Sequence, residues 1–212
     1  MISDLAFTID SLHQAYKLGL KPEEVINESL ARIANTADQG IYLYLADTLQ
    51  LSEAIKSLGP FDLIAKPLWG IPFAVKDNID VKGMPTTAAC EAFKYVAEQD
   101  AHVISLLKAA GAIVIGKTNL DQFATGLVGL RSPFPAPKNA INPELVPGGS
   151  SSGSSVTVSH GHVSFSLGTD TAGSGRIPAA LNNIIGLKPT LGSISSRGVI
   201  PACRSLDTVS IF

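Results

Sequence analysis

Gly148-Gly149-Ser150-Ser151-Ser152-Gly153-Ser154 and, after a short strand-like interval, Gly168-Thr169-Asp170-Thr171-Ala172-Gly173-Ser174-Gly175-Arg176 are the two clusters around which the chain is organised. Both lie within residues 147–189. Glycine allows backbone to approach a ligand closely, and serine supplies hydroxyls that donate, accept or attack. The two clusters are therefore expected to line one pocket. Lys76, upstream in Pro72-Phe73-Ala74-Val75-Lys76-Asp77-Asn78, is the candidate to complete a proton-transfer chain with them.

Bulk properties narrow the class. The chain has 212 residues, of which 45% are apolar and 16% charged, with a net charge of −2. That balance suits a well-buried α/β protein and lacks the basic footprint of a nucleic-acid binder. The two cysteines, Cys90 and Cys203, make neither a disulfide framework nor zinc-ligand spacing, so no metal and no cofactor are expected and the thiols are read as reduced in a cytoplasmic protein. Met1-Ile2-Ser3-Asp4 opens without a basic region and apolar block, so no secretory signal is expected; nor is there an apolar run long enough for a membrane span.

Working outward, residues 1–65 read as a helical region and residues 66–212 as the catalytic part of the same domain. Helices are expected over residues 8–18, with Thr8 as N-cap and Gly19 past the end, from Pro22 onward, and over residues 48–58. His13 is a solvated or packed side chain on the first of these. Residues 71–75 form a short apolar run bounded by Gly70 and by Lys76-Asp77-Asn78, which reads as a buried strand with Lys76 at its C-terminal end. Ligands of open α/β sheets bind at that edge, but a surface lysine satisfies the same pattern. A helix over residues 101–110 then leads through Gly111 into an apolar strand over residues 112–116. Such helix–strand alternation implies a mixed or parallel sheet covered by helices.

A helical turn is expected at residues 120–125 and a long irregular connection at residues 132–143. Beyond it come a helix over residues 154–160, a strand over 163–167, a short helix over 177–181 and a buried strand over 184–188. His160 and His162, at a strand entry, read as structural. Residues 208–212 read as a strand without a polar tail, so the chain is expected to be cut short.

Three chemistries compete for the first cluster. A phosphate loop fails because no Gly-Lys-Ser or Gly-Lys-Thr follows the glycines. Gly149-Ser150-Ser151-Ser152-Gly153 satisfies the nucleophile-elbow pattern literally, but the preceding segment is proline-flanked rather than a strand, and no histidine follows His162. The third reading is a serine-serine-lysine site.

Here the residues resemble a known family. Lys76 in Val75-Lys76-Asp77-Asn78, Gly148-Gly149-Ser150-Ser151, residues 168–180 and Gly186-Leu187-Lys188-Pro189-Thr190 are together similar to the amidase signature family, and the likeness runs from about residue 67 onward. Within it, Pro85-Thr86-Thr87-Ala88-Ala89-Cys90, residues 126–133 and Pro201-Ala202-Cys203-Arg204-Ser205-Leu206-Asp207 resemble the allophanate hydrolase branch. The amidotransferase branch has a different loop at residues 126–132 and a different nucleophile motif.

The resemblance implies the amidase signature fold, with Ser174 as nucleophile, Ser150 as bridging serine after a cis peptide, and Lys76 as base. It also implies main-chain N–H groups of Thr171, Ala172, Gly173 and Ser174 as the oxyanion site. A serine hydroxyl is a poor nucleophile until a base takes its proton, and a lysine is a base only when neutral. Full burial depresses lysine pKa values by up to about 3–5 pH units, so a desolvated Lys76 meets the requirement. Asp77 is expected to face away, because adjacent side chains on a strand point to opposite faces. Asp170 and Arg176 are expected to hold the second cluster in shape.

The implied reaction is hydrolysis of a small amide, with allophanate giving ammonia and carbon dioxide in urea degradation. A functional link to urea carboxylase and a homodimer accompany that likeness. Arg131 is a candidate anion contact by charge alone. The alternatives are a general amidase, the amidase-type component of a glutaminyl-tRNA amidotransferase and an inactive truncated fragment.

Overall fold

The computed structural model describes residues 2–212; Met1 lies outside them. Helix α1 (Ile9–Lys17) begins where the Thr8 hydroxyl accepts a 3.1 Å hydrogen bond from the Ser11 N–H. It buries Leu12 and Tyr16. Helix α2 (Pro22–Thr36) places Pro22 at its first position and Glu23 and Glu24 in its first turn, where the dipole favours them. Strand β1 (Tyr42–Leu45) follows. Helix α3 (Thr48–Leu58) is capped reciprocally: Asp47 accepts from the Gln50 N–H at 2.8 Å, and Gln50 Oε1 accepts from the Asp47 N–H at 3.0 Å.

The remaining elements are β2 (Pro72–Lys76), β3 (Pro85–Thr86), β4 (Tyr95–Val96), α4 (His102–Ala109), β5 (Ile113–Thr118), α5 (Ser152–Ser159), β6 (Phe165–Asp170), α6 (Arg176–Leu181) and β7 (Thr208–Ile211). Five of the strands form one mixed sheet in the order β1-β5-β2-β6-β7, and β3 pairs with β4 apart from it. The centre, β5-β2-β6, is parallel; β1 and β7 close the edges antiparallel. Every residue of β2 and β5 is buried, as expected of parallel strands covered on both faces. Phe73 and Phe165 stack across neighbouring strands with centroids 5.0 Å apart.

This register gathers the site. Lys76 lies opposite Thr118 on β5, and Val75 lies opposite Leu167 on β6. The three parallel strands therefore deliver Lys76, Thr118 and Asp170 to one edge, the C-terminal one.

Three expectations change. Residues 184–188 do not form a strand: apart from one bridge between Leu187 and Ile211 they are irregular, and Ile185 is 86% exposed. An apolar run there lacks the partners that would cover it. The region expected to be helical, residues 1–65, also supplies β1, whose backbone pairs with β5. Helix α5 starts two residues earlier than expected, inside the serine cluster. Its serines tolerate burial because Ser154 donates to the Leu167 carbonyl at 2.9 Å and Ser155 to that of Ser152 at 3.0 Å.

Candidate active site

Lys76 ends β2 with no exposed surface, between two neighbouring parallel strands. Its Nζ donates to Ser150 Oγ at 2.7 Å and to Thr169 Oγ1 at 2.7 Å. A neutral amine has two N–H donors and one lone pair, which matches two hydroxyl partners. Burial pulls the Lys76 pKa down to about 7, against the opposing pull of Asp121, Asp170 and Asp207. Asp77 points to the other side of the strand, into an ion pair with Lys117 at 3.1 Å.

Ser150 is positioned from both flanks. The Gly149–Ser150 peptide is cis, the geometry the family resemblance implies. The Ser150 carbonyl accepts from the Asp121 N–H at 3.1 Å, and the Gly149 N–H donates to the Leu127 carbonyl at 2.9 Å. Glycine is required at 149 by contact: a Cβ there would sit 2.1 Å from Asp121 Oδ2. Of the three consecutive serines, only Ser150 reaches Lys76. The Ser151 hydroxyl donates to the Thr169 carbonyl at 3.2 Å, and that of Ser152 approaches the Asn119 carbonyl at 3.4 Å.

Ser174 is joined to the first cluster through its carbonyl, which accepts from the Ser151 N–H at 3.2 Å. Among the described residues its hydroxyl has no hydrogen bond to Ser150; catalytic contacts commonly tighten only when substrate is bound. The loop carrying it is wrapped around Asp170. That carboxylate accepts from the N–H groups of Gly173 (2.8 Å), Gly175 (3.1 Å) and Arg176 (3.2 Å). It also accepts from the Arg176 guanidinium at 3.0 and 3.1 Å. Burial acts to raise the Asp170 pKa, but the Arg176 guanidinium and these N–H groups outweigh it and hold the carboxyl low. Asp170 and Arg176 thus shape the loop in the way expected of them.

Gly173 is expected from the resemblance to offer its N–H to an oxyanion; in this structure that N–H donates to Asp170, where the turn folds back on the carboxylate at the end of β6. The N–H groups of Thr171, Ala172 and Ser174 have no acceptor among the described residues. Thr171 is further fixed by its hydroxyl, which donates to Asp207.

Several residues at this site escape a reading of the sequence. Thr169, the second hydroxyl on Lys76, shares a strand face with Leu167, so the two-residue period of β6 is a usable signal. Asp121 accepts from the N–H groups of Gly129 (3.1 Å) and Arg131 (2.7 Å) and so ties the 126–131 loop to Ser150, although its sequence context suggests only a helical turn. Lys117 follows an apolar strand just as Lys76 does, and is equally buried.

Of the other candidates, Arg131 is exposed, and its guanidinium approaches only the Thr125 carbonyl, at 3.4 Å. His162 is fully buried, stacked on His160 and Tyr42, with Thr36 Oγ1 2.7 Å from its Nε2. It packs between α2, α5 and β1. A cavity of about 870 Å³ lies between α4, the β6–β7 edge and residues 191–196, and none of Lys76, Ser150 and Ser174 lines it. The chemistry is located by the buried polar contacts instead.

Comparison with known proteins identifies the family. The family model described as Amidase matches residues 24–212, and the chain belongs to the amidase family. It is 64% identical over 146 residues to the urea amidolyase of Saccharomyces cerevisiae, covering 69% of this chain and 8% of that protein. It is 44% identical over 210 residues to the amidase-type component of the glutamyl-tRNA(Gln) amidotransferase of Lawsonia intracellularis, covering 98% of this chain and 43% of that protein. The solved structure of Kluyveromyces lactis allophanate hydrolase superposes with a TM-score of 0.89 at 46% identity, over 98% of this chain and 34% of that one. The chain thus spans less than half the length of each of these relatives. Among the described residues, no helix is long and apolar enough to cross a membrane.

Proposed function

We propose that this chain carries the catalytic centre of an amidohydrolase acting on allophanate, with Ser174 as nucleophile, Ser150 as proton relay and Lys76 as base. The carrying observation is the fully buried Lys76 amine, bonded at 2.7 Å to Ser150 and to no carboxylate. Ser174 Oγ attacks the amide carbonyl while its proton passes through Ser150 to the neutral Lys76. The oxyanion is received by the N–H groups of Thr171, Ala172 and Ser174. Such donors contribute about 3–4 kcal/mol each where they have been removed by mutation. The relay then returns the proton to the leaving nitrogen, ammonia departs, and water attacks the acyl-serine by the same path in reverse.

The choice of allophanate is supported by the 64% identity to urea amidolyase, which exceeds the 44% to the amidotransferase component. The same likeness supports a functional link to urea carboxylase. A cytoplasmic homodimer belongs to this proposal as well.

The test is turnover of allophanate, malonamate and glutamine by the wild type and by Ser174→Ala and Lys76→Ala. Ammonia release from allophanate in preference to the others, lost in both variants, is the expected result. Preference for glutamine would favour the amidotransferase reading. No turnover of any substrate would favour the inactive fragment.

A further inference from the structure

The Lys117–Asp77 pair lies beside the candidate base and is not explained by the chemistry above. On β5, Lys117 is opposite Val75 of β2, and Asp77 directly follows Lys76 in the chain. Lys117 Nζ and Asp77 Oδ1 are 3.1 Å apart, and their side chains are 0% and 1% exposed. Nζ also donates to the Pro85 carbonyl at 2.9 Å and to Thr86 Oγ1 at 3.0 Å. The second oxygen of Asp77 accepts from the Thr87 N–H at 2.9 Å and from the Thr87 hydroxyl.

The charged surroundings of Lys76 follow one pattern. Asp121, at the end of β5, is occupied by the Gly129 and Arg131 N–H groups. Asp170, at the end of β6, is occupied by Arg176. Asp207, ahead of β7, accepts from the Thr171 hydroxyl and the Ala202 and Cys203 N–H groups. Asp77, which follows β2 directly, is occupied by Lys117 and Thr87. Each carboxylate near the amine is turned to other donors, and Lys76 is left with hydroxyls. Asp77 follows Lys76 directly, with consecutive Cα atoms only about 3.8 Å apart, although its side chain lies on the opposite face of the strand, against Lys117. Unpaired, Asp77 would favour an ammonium at position 76.

We propose that Lys117 is a positioning residue for the reaction: it neutralises Asp77, so that no unpaired negative charge sits in the buried layer beside Lys76. The inference rests on the reading of Lys76 as the base. The pair is net neutral as ammonium with carboxylate and as amine with carboxylic acid, so its effect does not depend on where its proton resides. A staple for the Pro85–Thr86 strand would use the same contacts, but it would not move a titration.

The experiment compares wild type, Lys117→Met, Asp77→Asn and the double variant of the full chain. It measures the rate at which a fluorophosphonate labels Ser174, identified by peptide mass spectrometry, as a function of pH. In Lys117→Met the acid limb should move up by about one pH unit, because Asp77 is left unpaired. In Asp77→Asn it should move down by a similar amount, because Lys117 is left unpaired. The double variant should return to within about 0.3 pH unit of wild type. If Lys117→Met does not fold, the downward shift in Asp77→Asn and its reversal in the double variant decide the matter. Limbs that coincide in all folded variants, with only amplitudes changed, would overturn the proposal while leaving the serine chemistry intact. Failure of wild-type Ser174 to label at any pH would overturn the reading of the site, and this inference with it.

Discussion

Lys76 Nζ meets Ser150 Oγ at 2.7 Å at a point where neither residue has exposed surface. A hydroxyl pressed against a buried amine is the arrangement expected of a proton relay, provided the amine is uncharged. Burial is the larger influence on that amine; the three carboxylates that oppose it are each held by other donors.

Activity should therefore follow a single ionisation at low pH. With burial bringing Lys76 to about 7, the free base predominates above that value and the ammonium below it. A plot of log kcat/KM for a small amide should rise with unit slope below pH 7 and flatten above it. A limb near pH 10 would mean that Lys76 is not desolvated in solution.

Substitution of the neighbouring serines should separate relay from packing. Ser150→Ala removes the hydroxyl on Lys76 and should lower kcat by about 10²–10⁴-fold, the usual scale for lost acid–base catalysis. Ser151→Ala loses only a 3.2 Å bond to the Thr169 carbonyl and should be much milder. Steady-state kinetics of the two variants checks this, and the reverse ranking would reassign the bridge.

Gly149→Ala should be damaging for a steric reason. The added methyl would lie 2.1 Å from Asp121 Oδ2 and 2.6 Å from the Gly129 nitrogen, between the two loops that fix Ser150. Overpacking of this kind typically costs about 1–3 kcal/mol. Thermal unfolding should show a lowered Tm, and activity should fall beyond what instability explains. An unchanged Tm would mean that the 126–131 loop yields.

His162 should make the fold acid-sensitive. Burial, reinforced by His160 and Arg32, lowers its pKa from 6.5 to about 3. Between those values the unfolded chain binds the proton and the folded one does not, so stability falls as pH drops below 6.5. The slope from this one group is at most about 1.4 kcal/mol per pH unit. Urea midpoints measured from pH 7 to pH 4 should decline in wild type and decline less in His162→Gln. Equal slopes would remove His162 from the account.

Much of the candidate site is legible in the sequence, because element ends mark where it lies and the family resemblance singles out Lys76, Ser150 and Ser174. Lys76 closes an apolar run, and Ser150 and Ser174 lie in glycine-rich turns, features that mark the ligand edge of a parallel sheet. The sheet margins are less legible. Residues 184–188 are as apolar as a buried strand, but burial depends on what covers a segment, and Ile185 is left in solvent. Strand β1 is four residues long and mostly half-buried, too short for its periodicity to register. The direction of the Gly173 N–H is set by the turn around Asp170, which residue types alone do not specify.

The central claim concerns the charge on one amine, and it is most directly tested by titrating that amine. Carbon-13 NMR of protein labelled at lysine Cε, with the Lys76 signal assigned by its loss in Lys76→Met, reports the ionisation. The account predicts a midpoint near pH 7. A midpoint near 10.5, the value of an ordinary lysine, would contradict it.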